Sequence, residues 1–87
     1  MVTVYIPAAL RVLTQGETQV AVDGSTLREV IANLETRYAG IQERLLEGER
    51  LRPGLAVFVN STSVRPLLSA KIPDSADLYF APAIAGG

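Results

Sequence analysis

Alternating apolar and polar residues predict two strands near the start of the chain. Val2, Val4 and Ile6 recur with a period of two, and Pro7 ends the pattern. The same period returns over residues 16–22, after a connection that contains Thr, Gln and Gly. We expect these two strands to form a hairpin at one edge of a sheet.

A helix is predicted directly after this hairpin. Thr26 is followed three residues later by Glu29, the spacing of a capping box, and Gly40 is a natural terminator. Between them the apolar residues fall on one helical stripe, opposite a polar face. The stripe consists of Leu27, Val30, Ile31, Leu34 and Tyr38.

The second half of the chain predicts short elements separated by turns. Apolar residues over 41–46 indicate a second short helical turn, and the charged, Gly- and Pro-containing stretch 47–54 is typical of a surface loop. We expect a strand over 56–60, a turn over 61–63, a short strand at Val64 and Arg65 that Pro66 ends, and a last strand over 77–81. Residues 67–72 favour no single structure.

This order of elements predicts an α+β fold of the β-grasp (ubiquitin-like) type, in which one main helix lies across a mixed four- to five-stranded sheet. The predicted domain covers residues 1–82, and residues 83–87 form a flexible C-terminal tail. In the expected strand order, the third and last strands are neighbours. The predicted core is Val4, Val20, Leu27, Val30, Ile31, Leu34, Leu45, Val57, Val59, Leu78 and Phe80.

The period of two also predicts an apolar patch on the face of the sheet away from the helix. If Val57 and Val59 face the helix, Phe58 lies on the open face, and the same parity turns Tyr79 and Ala81 outward. We expect these three side chains to form a docking surface beside the root of the tail. The opposite register would instead place Phe58 in the core, because its neighbours are apolar too.

Composition removes many kinds of chemistry. The 87 residues include no Cys and no His, so the chain has no thiolate nucleophile, disulfide, Ser-His-Asp triad or imidazole metal ligand. With 8 Lys+Arg against 9 Asp+Glu, no basic face for nucleic acid or an anionic membrane is expected. The first charged residue is Arg11, and no uncharged stretch approaches the ~20 residues of a membrane helix. We expect a cytoplasmic protein without metal or bound cofactor.

The uncharged end of the chain carries the candidate chemistry. Gly86 and Gly87 have no Cβ, so they can enter a narrow channel and leave the terminal carbonyl open to attack. The residues from Pro82 onward span up to ~20 Å when extended, which lets the carboxylate reach another protein's active site. A simple frayed terminus is the alternative. The tail residues expected to contact a partner are Pro82, Ala83, Ile84 and Ala85.

With this end, the chain resembles the ubiquitin-like sulfur carriers, a family that contains the molybdopterin synthase small subunit, the thiamin sulfur carrier and the carrier of cysteine synthesis. The resemblance covers essentially the whole chain and is greatest to the cysteine-synthesis type. The matching segments are Val2-Thr3-Val4, Ile6-Pro7, Leu10-Arg11, Thr26-Leu27, Val30-Ile31, Leu34-Glu35, Ile41 with Glu43-Arg44-Leu45, Phe58-Val59-Asn60, Val64-Arg65 and Pro82-Ala83-Ile84-Ala85-Gly86-Gly87.

The resemblance implies a protein cosubstrate rather than an enzyme. An ATP-dependent activating enzyme of the ubiquitin-activating type would adenylate the Gly87 carboxylate, and a sulfur donor would convert it to a thiocarboxylate. The sulfur acceptor would be a cysteine synthase-like enzyme or the large subunit of molybdopterin synthase. ATP would bind to the activating partner, since the chain has no phosphate-binding loop of its own.

Three other functions are open at this point. The chain would be the small subunit of molybdopterin synthase, a protein modifier joined through Gly87 to lysines of target proteins, or a β-grasp binding module with an inert tail. The first two use the same activated Gly87, whereas the third needs no reaction at all.

Overall fold

The computed structural model describes residues 1–64 and 67–82, which form nine regular elements besides a short 3-10 turn at Ala8–Leu10. The elements are β1 (Val2–Tyr5), β2 (Gln19–Val22), α1 (Leu27–Arg37), α2 (Ile41–Leu45), β3 (Leu46–Glu47), β4 (Arg50–Leu51), β5 (Leu55–Val59), β6 (Thr62–Val64) and β7 (Asp77–Pro82).

The main sheet has five strands in the order β2-β1-β7-β5-β6. The β1 and β7 strands are parallel, and the other neighbours are antiparallel, so the sheet is mixed. The helix α1 packs on one face of this sheet. The predicted α+β, β-grasp architecture is therefore confirmed. The hairpin of β1 with β2 at one edge is confirmed too. The strand predicted over 56–60 is β5, and it lies beside the last strand, β7, as expected.

The core lies between α1 and the sheet, and every residue of the predicted core is buried. Alternating strand residues and the apolar stripe of α1 supply most of it, as expected for a sheet covered on one face. Further buried residues come from strand ends, loops and short elements. They are Val2, Ile6, Leu10, Val22, Ile41, Leu51, Leu68, Ile72 and Ala76.

The start of α1 confirms the predicted cap with a shift of one residue. Thr26 is the N-cap, and its hydroxyl oxygen accepts a hydrogen bond from the Glu29 backbone N–H at 3.2 Å. The Glu29 carboxylate accepts from the Ser25 N–H at 2.8 Å, one residue before the usual partner in a capping box. This bond lowers the pKa of Glu29. The side chains of Thr26 and Glu29 thus bind backbone N–H groups within the first turn of α1 and just before it.

The predicted terminator Gly40 does not end α1. The helix ends at Arg37, and Gly40, at φ +99°, is instead the N-cap of α2. The Glu35 carboxylate accepts the Gly40 N–H at 3.0 Å and the Gln42 N–H at 2.9 Å. Side-chain capping by Glu35 and the left-handed Gly40 together start the predicted second helical turn, so Gly40 begins α2 rather than ending α1.

The predicted loop over 47–54 is wrong in part, because a two-stranded ribbon of β3 and β4 forms there. Leu46 pairs with Leu51, Gly48 takes a left-handed φ of +68° in the connecting turn, and Leu51 is buried in the core. The Arg52 N–H donates to the Leu45 carbonyl at 3.0 Å, which ties the ribbon to α2. Strands of two residues carry no measurable alternation, so the pattern did not predict them.

Two strand boundaries also differ from the prediction. The second strand begins at Gln19 rather than at residue 16, because the preceding turn is held by the fully buried Thr14, whose hydroxyl donates to the Glu17 carbonyl at 2.8 Å. The β6 strand covers Thr62–Val64, since Asn60 and Ser61, with φ of 49° and 69°, make a tight hairpin turn. The predicted strand end at Arg65 and stop at Pro66 lie outside the described residues.

The helix α1 runs antiparallel to the edge strand β2. The Asn33 side chain donates to the Asp23 carbonyl at 2.7 Å, and one turn later Arg37 donates to the Ala21 carbonyl, also at 2.7 Å. These bonds use carbonyls at the outer edge of the sheet, which would otherwise be free to pair with another chain. None of the helices in the described part of the chain is long and apolar enough to cross a membrane.

The segment before β7, which favoured no structure in sequence, is attached to the start of α1. The Leu27 N–H donates to the Ala70 carbonyl and the Ile72 N–H donates to the Ser25 carbonyl, each at 2.9 Å. Between these bonds, Lys71 forms an isolated antiparallel bridge with Thr26. The segment therefore crosses the N-terminal end of the helix before it enters β7.

Candidate functional site

The root of the C-terminal tail lies at one end of the sheet. The β7 strand ends at Pro82, which pairs with Leu55 of β5. Because β1 is parallel to β7, the end of β1 and the connection over residues 6–18 lie at this same end. The predicted reactive residues Gly86 and Gly87 lie outside the described residues. So do the predicted partner contacts Ala83, Ile84 and Ala85.

The open face of the sheet confirms the predicted orientation of the strand residues. Val57 is 1% exposed and Val59 is 8% exposed, whereas Phe58 between them is half-buried on the other face. Phe58 pairs directly with Tyr79, and Ala81 follows on the same face two residues nearer the tail. The structure thus selects the register that places Phe58 outside the core.

Tyr5 also belongs to this surface, although the sequence pattern did not predict its contribution. The ring of Tyr5 stacks on that of Tyr79, with centroids 4.1 Å apart and planes inclined by 4°. The two residues are opposite each other in the parallel pairing of β1 with β7. We call the surface formed by Tyr5, Phe58, Tyr79 and Ala81 the aromatic patch. The alternation of β1 already turned Tyr5 outward, but its neighbour depended on a long-range register.

The surroundings of the Tyr5 ring in this stack raise the pKa of its phenol. Hydrogen bonding with the Tyr79 side chain is the largest cause that raises the pKa of Tyr5 above its usual value, and the nearby Asp77 carboxylate adds to the effect. A tyrosine phenol is already uncharged at neutral pH, and the raised pKa extends that neutral range. The patch therefore presents two stacked aromatic rings with hydroxyl groups at their tips, a combination that is enriched at protein interfaces.

The open face carries little charge. Among the described strand residues that face this side, Asp77 alone is charged, and its backbone N–H donates to the Asn60 side chain at 2.9 Å. Asp77 lies at the start of β7, whereas Ala81 lies next to the tail root at the other end. A partner that covers the aromatic patch therefore meets apolar surface close to the tail and one carboxylate farther away.

The patch is close enough to the tail root for one partner to contact both. Tyr79 precedes Pro82 by three residues, which corresponds to ~10 Å at the rise of a strand. The five residues after Pro82 add at most ~18 Å. An enzyme whose active site lies within that distance of a surface complementary to the patch can therefore receive the chain end while it holds the folded body.

Across the residues that the structure describes, every buried side-chain nitrogen and oxygen atom has a hydrogen-bond partner. The groove lined by Glu35, Gly40, Gln42 and Glu43 contains the carboxylate that caps α2, and those backbone bonds lower the pKa of Glu35. Within residues 1–64 and 67–82, no group of three or more potential metal ligands comes together. The features that point to a partner are therefore the aromatic patch and the tail root.

Comparison with known proteins decides the family. The ThiS family model matches residues 4–87, nearly the whole chain and including the Gly-Gly end. The chain belongs to the ThiS family. The resemblance to ubiquitin-like sulfur carriers is thereby confirmed.

Relatives of this ThiS-family chain match it along its whole length. It is 40% identical over 91 aligned residues to the sulfur carrier protein CysO of Mycobacterium tuberculosis (strain ATCC 25618 / H37Rv), with 99% of this chain and 98% of the relative covered. Its fold matches a chain of the Amycolatopsis orientalis BexX/CysO complex with a TM-score of 0.91 and 43% identity over 100% of both chains. The crystal structure of Mycobacterium tuberculosis CysO matches with a TM-score of 0.89 and 37% identity, over 97% of this chain and 100% of that one.

Proposed function

We propose that this protein is a sulfur carrier of the cysteine-synthesis type, whose Gly87 carboxylate is activated and converted to a thiocarboxylate. The observation that carries the proposal is the 40% identity to the sulfur carrier protein CysO over nearly the full length of both chains. The Gly86-Gly87 end of the sequence supplies the group that such chemistry requires.

The chemistry proceeds through an acyl adenylate. The Gly87 carboxylate attacks the α-phosphorus of ATP, and pyrophosphate leaves; the product is an electrophilic mixed anhydride. A sulfur nucleophile then adds to the Gly87 carbonyl and displaces AMP, which leaves sulfur in place of one carboxylate oxygen. The absence of a Cβ at Gly86 and Gly87 keeps both faces of this carbonyl accessible.

The chain itself contributes the acyl group and no catalytic group. Its proposed partners are an adenylating enzyme of the ubiquitin-activating type, which binds ATP, and a cysteine synthase-like enzyme that accepts the sulfur. Because ATP is a cytoplasmic substrate, this activation would take place in the cytoplasm.

We propose that the aromatic patch is the surface by which these enzymes hold the carrier. The stacked rings of Tyr5 and Tyr79 and the adjacent Phe58 form an exposed aromatic surface on a face with one charged strand residue. Aromatic side chains are the commonest anchors of protein interfaces. Ala81 and the root at Pro82 extend this surface toward the tail, whose residues Ala83, Ile84 and Ala85 we expect to line the partner's channel.

Mass spectrometry of the carrier after incubation with the activating enzyme, ATP and a sulfide source tests the proposed function. A gain corresponding to the exchange of one oxygen for sulfur supports a carrier. Adducts that leave a Gly-Gly remnant on lysines of other proteins would instead show a protein modifier, and an unchanged mass would show an inert module. Co-purification of the thiocarboxylate form with either a cysteine synthase or a molybdopterin synthase large subunit then distinguishes the two pathways.

Pyrophosphate exchange tests the role of Gly87 directly. Deletion of Gly87 moves the carboxylate by about one residue length, and we expect a loss of at least ~100-fold in adenylation, since misplacement by ~1 Å can cost that much. Addition of one alanine after Gly87 is the matched control, because it shifts the carboxylate in the other direction with both glycines intact. Full activity in either variant would contradict the assignment of Gly87.

A further inference from the structure

The basic residues of this chain differ sharply in their reactivity toward an activated carboxyl group. Amines attack acyl adenylates and thioesters, whereas an arginine guanidinium stays protonated and does not. Of the 8 Lys and Arg residues, Lys71 is the sole lysine. An activated Gly87, which the proposed function requires, therefore has two amines within its own chain as potential acceptors: the Lys71 ε-amine and the α-amine of Met1.

The α-amine lies at the end of the sheet opposite the tail root. The Met1 ammonium donates to the Asp74 carboxylate at 2.8 Å, just before β7 begins. The parallel register places Thr3 opposite Asp77, so Met1 lies about seven strand residues away from Pro82. At the rise of a β-strand this separation is ~23 Å.

Lys71 lies at the same end as the α-amine. The β2 strand ends at the level where β1 begins, and Thr26 follows it by four residues. Lys71 forms a bridge with Thr26, and Asp74, which binds the Met1 ammonium, follows three residues later. The Lys71 side chain is exposed there, so its amine is available to other molecules.

The tail is too short to bring Gly87 to the α-amine of its own chain. The five residues after Pro82 span at most ~18 Å, compared with ~23 Å to the α-amine in a straight line. The β7 strand also points away from both amines, so a tail that turned back would have to pass around the sheet. Reaction of Gly87 with an amine of its own molecule is therefore disfavoured by the topology.

We propose that this separation protects the activated carrier from self-acylation, and that Lys71 is the one side chain at which the activated tail of a second copy can be joined. In that reaction the Lys71 nitrogen attacks the Gly87 carbonyl of the other molecule. An amide bond forms, AMP leaves with the electron pair of the carbon–oxygen bond, and the amine releases a proton to solvent. The product is a dimer joined from Gly87 to Lys71.

A carrier with a C-terminal thioester, made by thiol cleavage of an intein fusion, tests this proposal without any activating enzyme. Its carbonyl is activated at Gly87 alone, and the chain has no Cys to compete. Intact mass spectrometry at mildly alkaline pH distinguishes hydrolysis, a cyclised monomer one water lighter than the free acid, and a linked dimer. For the wild type we expect hydrolysis at low protein concentration. At high concentration we expect a dimer whose new amide bond maps to Lys71. The Lys71→Arg variant should not form this side-chain linkage.

The matched control moves the lysine to the end of the sheet near the tail. Val12 is 80% exposed in the connection over residues 6–18, so Val12→Lys combined with Lys71→Arg keeps one lysine but relocates it. A tethered amine at millimolar effective concentration should give at least about tenfold more cyclised monomer than the wild type. Three results would overturn the proposal. They are a cyclised monomer in the wild type, the same amount of cyclised monomer in the control as in the wild type, and a side-chain linkage that persists in Lys71→Arg. Failure of enzymatic adenylation would instead count against the proposed function.

Discussion

The two phenylalanines of this chain make a matched pair for testing the aromatic patch. Phe58 and Phe80 lie on neighbouring strands, but Phe58 is half-buried on the open face, whereas Phe80 is 4% exposed in the core. The same Phe→Ala change therefore removes a surface ring in one case and a core ring in the other. Any difference between the two variants reports on the face of the sheet rather than on the residue type.

The structure sets different magnitudes for the two changes. Phe80→Ala should cost ~3 to 5 kcal/mol of unfolding free energy, as a core truncation does. Phe58→Ala removes a half-buried ring directly across from Tyr79, and a cross-strand side-chain pair contributes ~0.2 to 1 kcal/mol, so we expect a cost well below that of Phe80→Ala. A domain of this length has ~4 to 13 kcal/mol in total, so only Phe80→Ala should threaten folding.

Urea denaturation followed by a binding titration with the activating enzyme measures both quantities. We expect Phe58→Ala to weaken binding by ~1 to 3 kcal/mol, about 5- to 150-fold in Kd, while the fold stays intact. A stability loss in Phe58→Ala as large as that in Phe80→Ala would refute the assignment of Phe58 to the open face. Unchanged affinity in a folded Phe58→Ala protein would refute the patch as a docking surface.

Three further predictions concern the stability of the folded body. Gly24→Ala should destabilise the fold by ~2 to 5 kcal/mol in urea denaturation, because Gly24 has a φ of +149° and an added Cβ would lie 2.7 Å from the Val30 side chain and 2.8 Å from the Val30 backbone nitrogen. Gly16→Ala is the control. An added Cβ there meets no atom within 4 Å, so this change should cost only the ~1 to 2 kcal/mol of a left-handed φ. Thr26→Ala removes the N-cap of α1 and should cost ~1 kcal/mol, whereas Thr26→Ser should restore most of it in the same assay. The pKa of Glu35 is lowered in the folded protein, so its carboxylate stabilises the fold above the unfolded pKa near 4.5, and this stabilisation is lost as the pH falls through the folded pKa. The unfolding free energy of Glu35→Gln should therefore depend less steeply on pH in acid. The same acid profile in the variant and the wild type would contradict this.

The sequence predicts a side chain's orientation correctly where that orientation depends only on residues nearby in the chain. The outward orientation of Phe58 and the cap at Thr26 are local consequences of strand period and helix capping, and the structure confirms both. The stack of Tyr5 on Tyr79 was missed because it depends on the register between strands 74 residues apart. The reactive Gly87 rests on sequence and family alone, since it lies outside the described residues.

The ribbon and the capping of the correctly predicted second helix show the other limit of pattern reasoning. A pair of two-residue strands shows no period, and the cap that Glu35 provides for Gly40 joins residues five positions apart through a side chain. Such features depend on tertiary packing rather than on propensity, so a sequence pattern predicts their neighbourhood but not their form.

The position of β7 has a consequence for how this protein is made. The strand contributed last by the chain lies in the middle of the sheet, between the first strand and β5, and its Leu78 is fully buried. In a nascent chain whose β7 is still in the ribosome, the β1–β2 and β5–β6 hairpins have no strand to join them, because β1 pairs with a segment more than 70 residues later. Folding is thus completed only after synthesis reaches the segment directly before the Gly-Gly end. A chain that ended before β7 would lack both its central strand and the Gly-Gly end, so it could neither complete the sheet nor supply the terminal carboxylate.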